Sequence, residues 1–228
     1  MFTPRALKFR QLGFVLLLLA LAPTALSAEI AVGASVSTLG FGVDAELPLG
    51  EHFAVRLGAH KATVGRDFSE DGVDYKGDLE LENGSLLLDW HPTGGAFRIS
   101  AGAVLDGNEV VARVSEDDIL LEIGNLPIPA SAVGSLHGTV SFDSVAPYAG
   151  LGFSTNFGRG GHWGFLFDAG VLFQGSPEVD LEGSLVPELA ALEPLFQIQL
   201  LIEEQNLESD IDEYNLYPVI SFGVSYSF

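Results

Sequence analysis

The sequence predicts an all-β fold, an eight-stranded antiparallel transmembrane β-barrel of the outer-membrane type with acidic outer loops. Three observations predict this fold. Apolar and polar residues alternate with a period of two over about eight segments. The connections between these segments are short and long in turn, as in outer-membrane barrels. The last segment, SFGVSYSF, keeps one apolar face as far as Phe228.

Residues 1–28 are predicted to be a secretory signal peptide. They contain a positive start, an apolar run and a small-residue cleavage region, at Arg5, Lys8 and Arg10, at Leu12 to Ala22, and at Thr24 to Ala28. A transmembrane anchor is the alternative, but the apolar run is shorter than the roughly 20 residues that a spanning helix needs. We therefore expect residues 29–228 to form a barrel in the outer membrane of a Gram-negative bacterium, after export.

The first three predicted strands show the alternation most clearly. Each has one apolar face, formed by Ile30, Val32, Ala34 and Val36, by Phe41, Val43, Ala45 and Leu47, and by Phe53, Val55, Leu57 and Ala59. The opposite face of each strand is mainly polar or small. In a membrane barrel the apolar face contacts lipid and the other face lines the lumen.

Five more strands are predicted, at about Asp74 to Trp90, Phe97 to Leu105, Leu136 to Phe153, Trp163 to Phe173 and Leu216 to Phe228. In the fourth strand the apolar positions change parity, from Leu79 and Leu81 to Leu86, Leu88 and Trp90. One extra residue in a strand would cause such a change. We therefore predict a β-bulge near Asn83-Gly84.

Short connections are predicted at Leu39-Gly40, 48–52, 91–96 and 154–162, and longer, acidic ones at 67–74, 115–135 and 181–213. The last long connection contains good helix formers from Pro187 to Asp212. We predict a short amphipathic helix there, lying over the barrel mouth and interrupted by Pro194. A short strand over Phe196 to Ile202 is the alternative.

The final strand also matches a sorting pattern. Its order of polar, glycine and aromatic positions resembles the C-terminal signal by which the barrel assembly machinery recognises outer-membrane proteins, at Ser221, Gly223, Tyr226 and Phe228. An ordinary strand of a β-sandwich is the alternative.

Charge limits the expected partners. Three of the ten basic residues belong to the predicted signal peptide, which leaves seven basic residues against 31 acidic ones. This excess disfavours nucleic acid as a ligand and favours cations. One predicted outer connection is crowded with carboxylates, at Asp67, Glu70, Asp71, Asp74, Asp78, Glu80 and Glu82. Divalent cations could bridge such carboxylates to lipopolysaccharide phosphates.

Seven ionisable residues are predicted to face the lumen: Asp44, Glu46, Arg56, His60, Asp89, Arg98 and Asp168. A barrel of this size is just wide enough to be filled by side chains or to admit something small. Two interpretations therefore remain open: an ionic plug that makes the barrel rigid, or a narrow path that selects cationic solutes. A continuous water path would favour transport, and a sealed arginine–carboxylate cluster would favour the structural role.

No enzyme motif or cofactor motif is recognisable. The sequence has no cysteine, which excludes disulfides and thiolate metal sites. A barrel hydrolase would commonly carry His-x-Ser on one strand face. Two histidines, His91 and His137, have a threonine two residues later, but neither has an evident third partner. We expect no enzyme, no metal and no cofactor.

Several motifs in the second half of the chain resemble the CarO-type ornithine-uptake porin family: Ala146 to Phe153 (APYAGLGF), Trp163-Gly164, Gly170, Gly175 to Leu181, Tyr214 and Pro218-Val219. The resemblance implies an eight-stranded outer-membrane barrel that takes up ornithine and other basic amino acids. The expected function is therefore a narrow channel that favours small cationic solutes. The alternative is a structural or surface-interaction barrel whose acidic loops bind cations, lipopolysaccharide or a partner.

Overall fold

The computed structural model describes residues 30–70, 73–114, 120–123, 126–155 and 162–228. Its strands are β1 Ala31–Ser37, β2 Gly40–Pro48, β3 Phe53–Glu70, β4 Val73–Trp90, β5 Phe97–Asp106, β6 Glu109–Val114, β7 Leu120–Ile123, β8 Leu126–Pro129, β9 Val133–Ser141, β10 Val145–Ser154, β11 Trp163–Phe173, β12 Glu178–Leu185 and β13 Leu216–Ser227. One α-helix, α1 (Glu193–Ile211), and two short 3₁₀ helices, Ala130–Ala132 and Pro187–Leu192, complete it. The predicted signal peptide lies outside the described residues.

Eight strands form a closed antiparallel barrel, which confirms the predicted fold class. They are β1, β2, β3, β4, β5, β10, β11 and β13, each paired with the next. The barrel closes where β1 pairs with β13, from Ala31 opposite Ser227 to Ser37 opposite Ser221. Closure leaves no free strand edge, which is the condition for a sheet to span a bilayer.

The outside of the barrel is apolar. The exposed side chains on it include Val32, Val36, Phe41, Val43, Leu86, Leu88, Leu151, Phe165, Ile220 and Phe222. An aromatic group lies at the end that carries the short turns: the ring centroid of Tyr226 is 5.2 Å from that of Trp163 and 5.1 Å from that of Phe228. An apolar band bordered by aromatic residues is typical of barrels that span a membrane.

A second sheet, here called the extension sheet, continues from the opposite end of the barrel. The hairpin of β3 and β4 extends to Glu70 and Val73, and residues Tyr75 to Glu80 of β4 pair with β6. Strand β6 then pairs with β9, and β9 with β12. A small core joins this sheet to α1 and the β7–β8 hairpin, with Ile123, Phe196 and Leu200 buried against Ile128, Val133, Leu136, Leu181 and Leu185.

Helix α1 covers the outer edge of the extension sheet. Strand β12 is the last strand of this sheet, so its outer N–H groups need partners other than another strand. Glutamates of α1 supply them: the N–H groups of Val179 and Leu181 donate to Glu208 (3.1 Å) and Glu204 (2.9 Å), and that of Leu185 donates to Glu193 (3.0 Å). The carboxylates therefore replace a neighbouring strand along this edge.

The predicted helix is confirmed, but its details were partly wrong. It packs against β12, and the alternative strand at 196–202 is wrong. Pro194 does not break α1 itself, but it lies where the 3₁₀ helix Pro187–Leu192 gives way to α1, so the helical stretch is divided there as predicted. Pro194 lies in the first turn, where the missing N–H has no intrahelical partner to lose. No helix among the described residues is long and apolar enough to span a bilayer.

The predicted β-bulge in β4 is also wrong. The pairing of β4 with β3 is continuous from Val73 to Trp90, with Asn83 opposite His60 and Gly84 opposite Ala59. The apolar positions change parity because the strand leaves the barrel near Asn83 and exchanges β5 for β6 as its partner. Outside the barrel the buried face is the apolar one, so the pattern inverts without an extra residue.

Other element boundaries differ from the sequence predictions. The predicted loop at 67–74 is mostly strand, because β3 and β4 continue to Glu70 and Val73. The single segment predicted from Leu136 to Phe153 is two strands, β9 in the extension sheet and β10 in the barrel. The predicted connection at 115–135 contains β7 and β8. Alternation marked the strands, but it did not separate barrel strands from extension strands.

Candidate functional site

The lumen of the barrel holds most of the buried charge in the described chain. All seven residues predicted to face the lumen point inward and are largely buried: Asp44, Glu46, Arg56, His60, Asp89, Arg98 and Asp168. They come from strands β2, β3, β4, β5 and β11. Five of them form one ion-pair network, and the other two form a separate hydrogen-bonded group.

Arg56 joins two carboxylates in this network. Its Nε and Nη2 donate to the two carboxylate oxygens of Asp89, at 3.0 and 3.2 Å. Its Nη1 and Nη2 donate to Asp168, at 3.0 and 3.3 Å. Bidentate contacts of this kind match the planar guanidinium to the planar carboxylate, and they hold the side chain in one orientation.

Arg98 lies beside it and is fully buried. Its Nη2 donates to Asp168 at 2.8 Å, and its Nη1 donates to Glu46 at 3.0 Å. Ser100, on the same strand, donates to Asp89 at 2.5 Å. The two arginines and three carboxylates therefore form a continuous network that closes the lumen at this level, which we call the ion network.

A glycine makes room for the ion network. Gly152 on β10 lies opposite both Arg98 on β5 and Asp168 on β11. A Cβ atom at this position would collide with the Asp168 carboxylate and would lie 2.9 Å from Arg98 Nε. Only glycine leaves the space in which these two side chains meet.

Asp44 and His60 form the second group, together with Ser35. The Ser35 hydroxyl donates to Asp44 at 2.7 Å, and its oxygen is 3.0 Å from His60 Nε2. Because the one hydroxyl hydrogen is used by Asp44, His60 Nε2 must be the donor to Ser35. The second ring nitrogen, His60 Nδ1, is buried without a hydrogen-bond partner.

This group has the residue types of a catalytic triad but not its geometry. In an activated serine, the carboxylate binds the histidine nitrogen that faces away from the hydroxyl. Here the Asp44 carboxylate binds Ser35 itself and lies 3.7 Å from His60 Nε2, on the same side of the ring. The Ser35 hydroxyl hydrogen therefore points at the Asp44 carboxylate, and His60 is not placed to remove it.

An apolar layer lies in the lumen toward the extension sheet. It contains Leu39, Leu87, Val104, Ala146, Tyr148, Leu172 and Val219, all buried. A cavity of about 30 Å³ borders both this layer and the charged residues, with Asp44, His60 and Asp168 on its charged side. Such a volume holds about two water molecules. The charged residues and the apolar layer therefore occupy successive levels of the lumen in this conformation.

The short-turn end of the barrel is fixed by its own contacts. His91 is buried in the turn after β4, its backbone N–H donates to the carbonyl of His52 in the neighbouring turn (2.7 Å), and its Nδ1 is 2.8 Å from the carbonyl of Gly95. Burial lowers the pKa of His91 below its ordinary value of 6.5, because the charged ring would lose its hydration.

Comparison with solved structures identifies the same architecture in two bacterial proteins. The crystal structures of CarO and CarO2 from Acinetobacter baumannii superpose on this chain with a TM-score of 0.57 each. The identities are 23% and 22%, and each alignment covers 88% of this chain and 98% of the other. The chain has the fold of CarO. The likeness at this level of identity concerns the fold, and there it confirms the resemblance predicted from the sequence.

No protein-family model matches the chain, and no curated protein matches it. The structural likeness therefore concerns the fold, and the chemistry of the lumen follows from this chain's own residues.

Sequence reasoning missed several lumen residues. Ser35 and Ser100 complete the hydrogen bonding of two carboxylates, and Tyr148 lines the cavity. All three lie on the inward face of their strands, so their parity could have identified them. The apolar layer was missed because Leu87, Val104 and Val219 are apolar residues at lumen-facing positions, whereas the alternation pattern assigns apolar residues to the lipid face.

Three of the four predicted sorting residues lie in β13, and Phe228 directly follows it. Ser221 faces inward and lines the cavity, Gly223 lies opposite Ser35 and Leu166, and Tyr226 and Phe228 belong to the aromatic group at the short-turn end. Their role in recognition by the assembly machinery stays a prediction.

Part of the predicted acidic outer loop can be placed. Asp78, Glu80 and Glu82 lie on the extended part of β4, and Glu82 forms an exposed ion pair with Lys61 at 3.0 Å. The side chains of Asp67, Glu70, Asp71 and Asp74 lie outside the described residues. Among the side chains that are described, no group of three or more potential ligands is arranged for a metal ion.

Proposed function

We propose that the protein is an outer-membrane uptake barrel that favours small cationic solutes and that the ion network and apolar layer close it at rest. The observation that carries this proposal is the charge balance of the lumen. Asp44, Glu46, Asp89 and Asp168 contribute four carboxylates, whereas Arg56 and Arg98 contribute two guanidinium groups. The buried lumen therefore has a surplus of acidic groups.

This surplus is unfavourable for a purely structural plug. A buried charge is costly unless it is paired, so a plug selected for stability alone would balance its charges. Asp44 is the group without an arginine partner among the described contacts, since its hydrogen bond comes from Ser35. It lines the cavity together with Asp168. A passing cation would supply the missing positive charge at this point.

The size of the lumen limits the solute. An eight-stranded barrel has an interior just wide enough for side chains or one small ligand. The cavity of about 30 Å³ fits a group the size of an ammonium ion and not a whole amino acid. Passage therefore requires the ion network and the apolar layer to separate, and a larger or anionic solute would be excluded.

The apolar outer face and the aromatic group support a location in the outer membrane, reached after removal of residues 1–28. In that location the acidic extension sheet would lie among lipopolysaccharide phosphates, and divalent cations could bridge the two. We propose no catalytic role, because the Ser35–His60 geometry does not activate a nucleophile.

A second function is favoured by a specific observation, the sealed lumen. Arg98 and Asp89 are fully buried, and Arg98 Nη1 lies 3.7 Å from the Asp89 carboxylate. Arg98 also pairs with Glu46 and Asp168, and Asp89 pairs with Arg56, which is the arrangement expected of a rigid structural plug. In this alternative the barrel anchors the extension sheet in the membrane, and the acidic surface of that sheet binds cations, lipopolysaccharide or a partner.

Solute flux into liposomes separates the two functions. The refolded protein is reconstituted, and the entry of ornithine or lysine is compared with that of glutamate and of a neutral sugar of similar size. We expect faster entry of the cationic amino acids. Asp44→Asn should lower their entry about tenfold, because each 1.4 kcal/mol of lost attraction changes a rate or an affinity by a factor of ten.

Asp44→Asn is a sharper variant than changes at Glu46 or Asp168, which would leave an arginine without its partner. Glu178→Gln, on the exposed face of the extension sheet, is the matched control for loss of one negative charge and should leave the flux unchanged. If folded protein gives no flux above empty liposomes for any solute, the uptake function is wrong and the structural barrel remains.

A further inference from the structure

Helix α1 is apolar on two faces, and only one of them is covered. Phe196 and Leu200 are buried against the extension sheet. Four other large apolar side chains of this region are exposed, with 48%, 60%, 51% and 58% of their surface accessible, at Leu192, Leu195, Ile198 and Leu201. We call these four residues the helix patch. Neighbouring exposed apolar side chains of this kind mark interaction surfaces.

The segment that carries the helix patch is strongly negative. Residues 178–213 contain no Lys, Arg or His, and their eleven carboxylates are Glu178, Asp180, Glu182, Glu188, Glu193, Glu203, Glu204, Glu208, Asp210, Asp212 and Glu213. A field of one sign over a surface attracts partners of the opposite charge and repels those of the same charge. The occupant of the patch must therefore be apolar and cationic.

The helix patch also lies at the end of α1 that is remote from the barrel. The helix runs antiparallel to β12: Glu208 binds Val179 near the barrel, whereas Gln197 binds the carbonyl of Gly183 and Glu193 binds Leu185 at the far end. The patch is level with this far end. It is thus presented to the medium beyond the barrel, and the apolar belt of the barrel is not continuous with it along the helix.

We propose that the helix patch is a docking site for a cationic amphipathic helix supplied by another molecule. Such a helix would place apolar residues on Leu195 and Ile198 and its lysines or arginines against the surrounding carboxylates. A second copy of this chain would bring the same negative charge, and an anionic lipid surface would be repelled in the same way. The inference does not depend on whether the lumen conducts.

The proposal is tested with the full chain in nanodiscs of zwitterionic lipid. The probe is a fluorescent 18-residue peptide of leucine and lysine with one apolar helical face, and empty nanodiscs give the background. We expect saturable binding that weakens as salt is raised, because the charges are screened. The double variant Leu195→Ser/Ile198→Ser should weaken binding about tenfold, as expected when central apolar contacts are removed.

Two controls make the result specific. The double variant Val64→Ser/Val110→Ser removes two exposed apolar side chains elsewhere on the extension sheet and should bind like the parent chain. A peptide with glutamate in place of lysine keeps the apolar face and should not bind. Circular dichroism and the heat-dependent gel mobility of the barrel verify that each variant is folded.

Three outcomes would overturn the proposal. Equal binding by the folded patch variant would show that the peptide binds elsewhere. Self-association that is lost in the patch variant, seen by light scattering, would identify a second copy as the occupant. Binding of the patch to anionic vesicles in preference to the cationic peptide would identify a lipid surface instead.

Discussion

The two halves of strand β4 follow the same alternation and use it in opposite ways. In the barrel half, Leu86 and Leu88 point outward and are exposed, while Asp89 points inward and is fully buried. In the extension half, Glu80 is exposed and Leu81 is buried. The period of two fixes which residues share a face. The medium around each half decides which face is apolar, because lipid and water favour opposite choices.

Charge follows the same division. Inside the barrel, acidic groups lie within hydrogen-bond distance of two arginines, and their geometry is fixed by several contacts each. On the extension sheet, the Lys61–Glu82 pair is exposed, with 70% and 49% of the side chains accessible. An arginine–carboxylate pair in the lumen is therefore expected to contribute far more to stability than the lysine–glutamate pair on the surface.

The largest expected effect comes from breaking the ion network. Arg98→Ala leaves Glu46 and part of the Asp168 carboxylate without their partner in a buried site. We expect a loss of roughly 3–5 kcal/mol in the free energy of unfolding, the usual cost of breaking a buried ion pair. Urea titration of the refolded barrel in lipid vesicles measures it.

The matched variant is Lys61→Ala, which breaks an exposed pair at the extension end of the barrel. It should cost no more than about 1 kcal/mol. Equal losses of unfolding free energy for Arg98→Ala and Lys61→Ala would show that buried and exposed ion pairs contribute alike.

The next effect tests the two media along β4 directly. Leu88→Arg puts a charge on the outer face of the barrel, and we expect a loss of up to about 2–4 kcal/mol, the value at the bilayer midplane, if that face contacts hydrocarbon. Glu80→Arg puts the same side chain on the same face of the same strand, eight residues away in the extension sheet, and should change stability by less than about 0.5 kcal/mol. Folding into vesicles measures both, and similar values for the pair would mean that the two halves share one medium.

The smallest effect concerns the covered edge of the extension sheet. Glu204→Ala removes the acceptor for the Leu181 N–H. We expect a loss of about 1.5 kcal/mol, the low end of the range for hydrogen bonds to charged groups, because this bond is only partly buried. Exchange of the Leu181 amide hydrogen should be faster, while amides in the barrel stay protected. Gln205→Ala, an exposed neighbour on α1, is the control, and a matching increase there would show that the helix had loosened as a whole.

Much of the barrel could be predicted from the sequence because its pattern is local. Alternation within each strand gave the faces of β1, β2, β3, β11 and β13, and the short turns gave their order. The extension sheet could not be predicted in the same way. Its strands β6, β9 and β12 follow the same period, and their partners depend on where β4 leaves the barrel near Asn83, which alternation does not mark.

The candidate site divides similarly. Parity alone placed the seven charged residues in the lumen, but it could not separate Asp44 and His60 from the ion network. That separation depends on the stagger between non-adjacent strands, through which Asp168 on β11 reaches Arg56 on β3. Such a contact joins residues that are far apart in sequence and not on paired strands, so no spacing along the chain reveals it.

The junction of β1 and β13 limits the order in which the barrel strands can pair during folding. Every other barrel junction joins strands that follow one another along the chain or are separated by one extension segment, whereas this junction joins the first described strand to the last. Forming it closes the longest possible loop, so the neighbouring hairpins have less entropy to lose and can form sooner. Until then both backbone edges at the junction remain open. Any protein that recognises β13 by adding a strand to that edge has to act during this interval and must leave before the cylinder is complete.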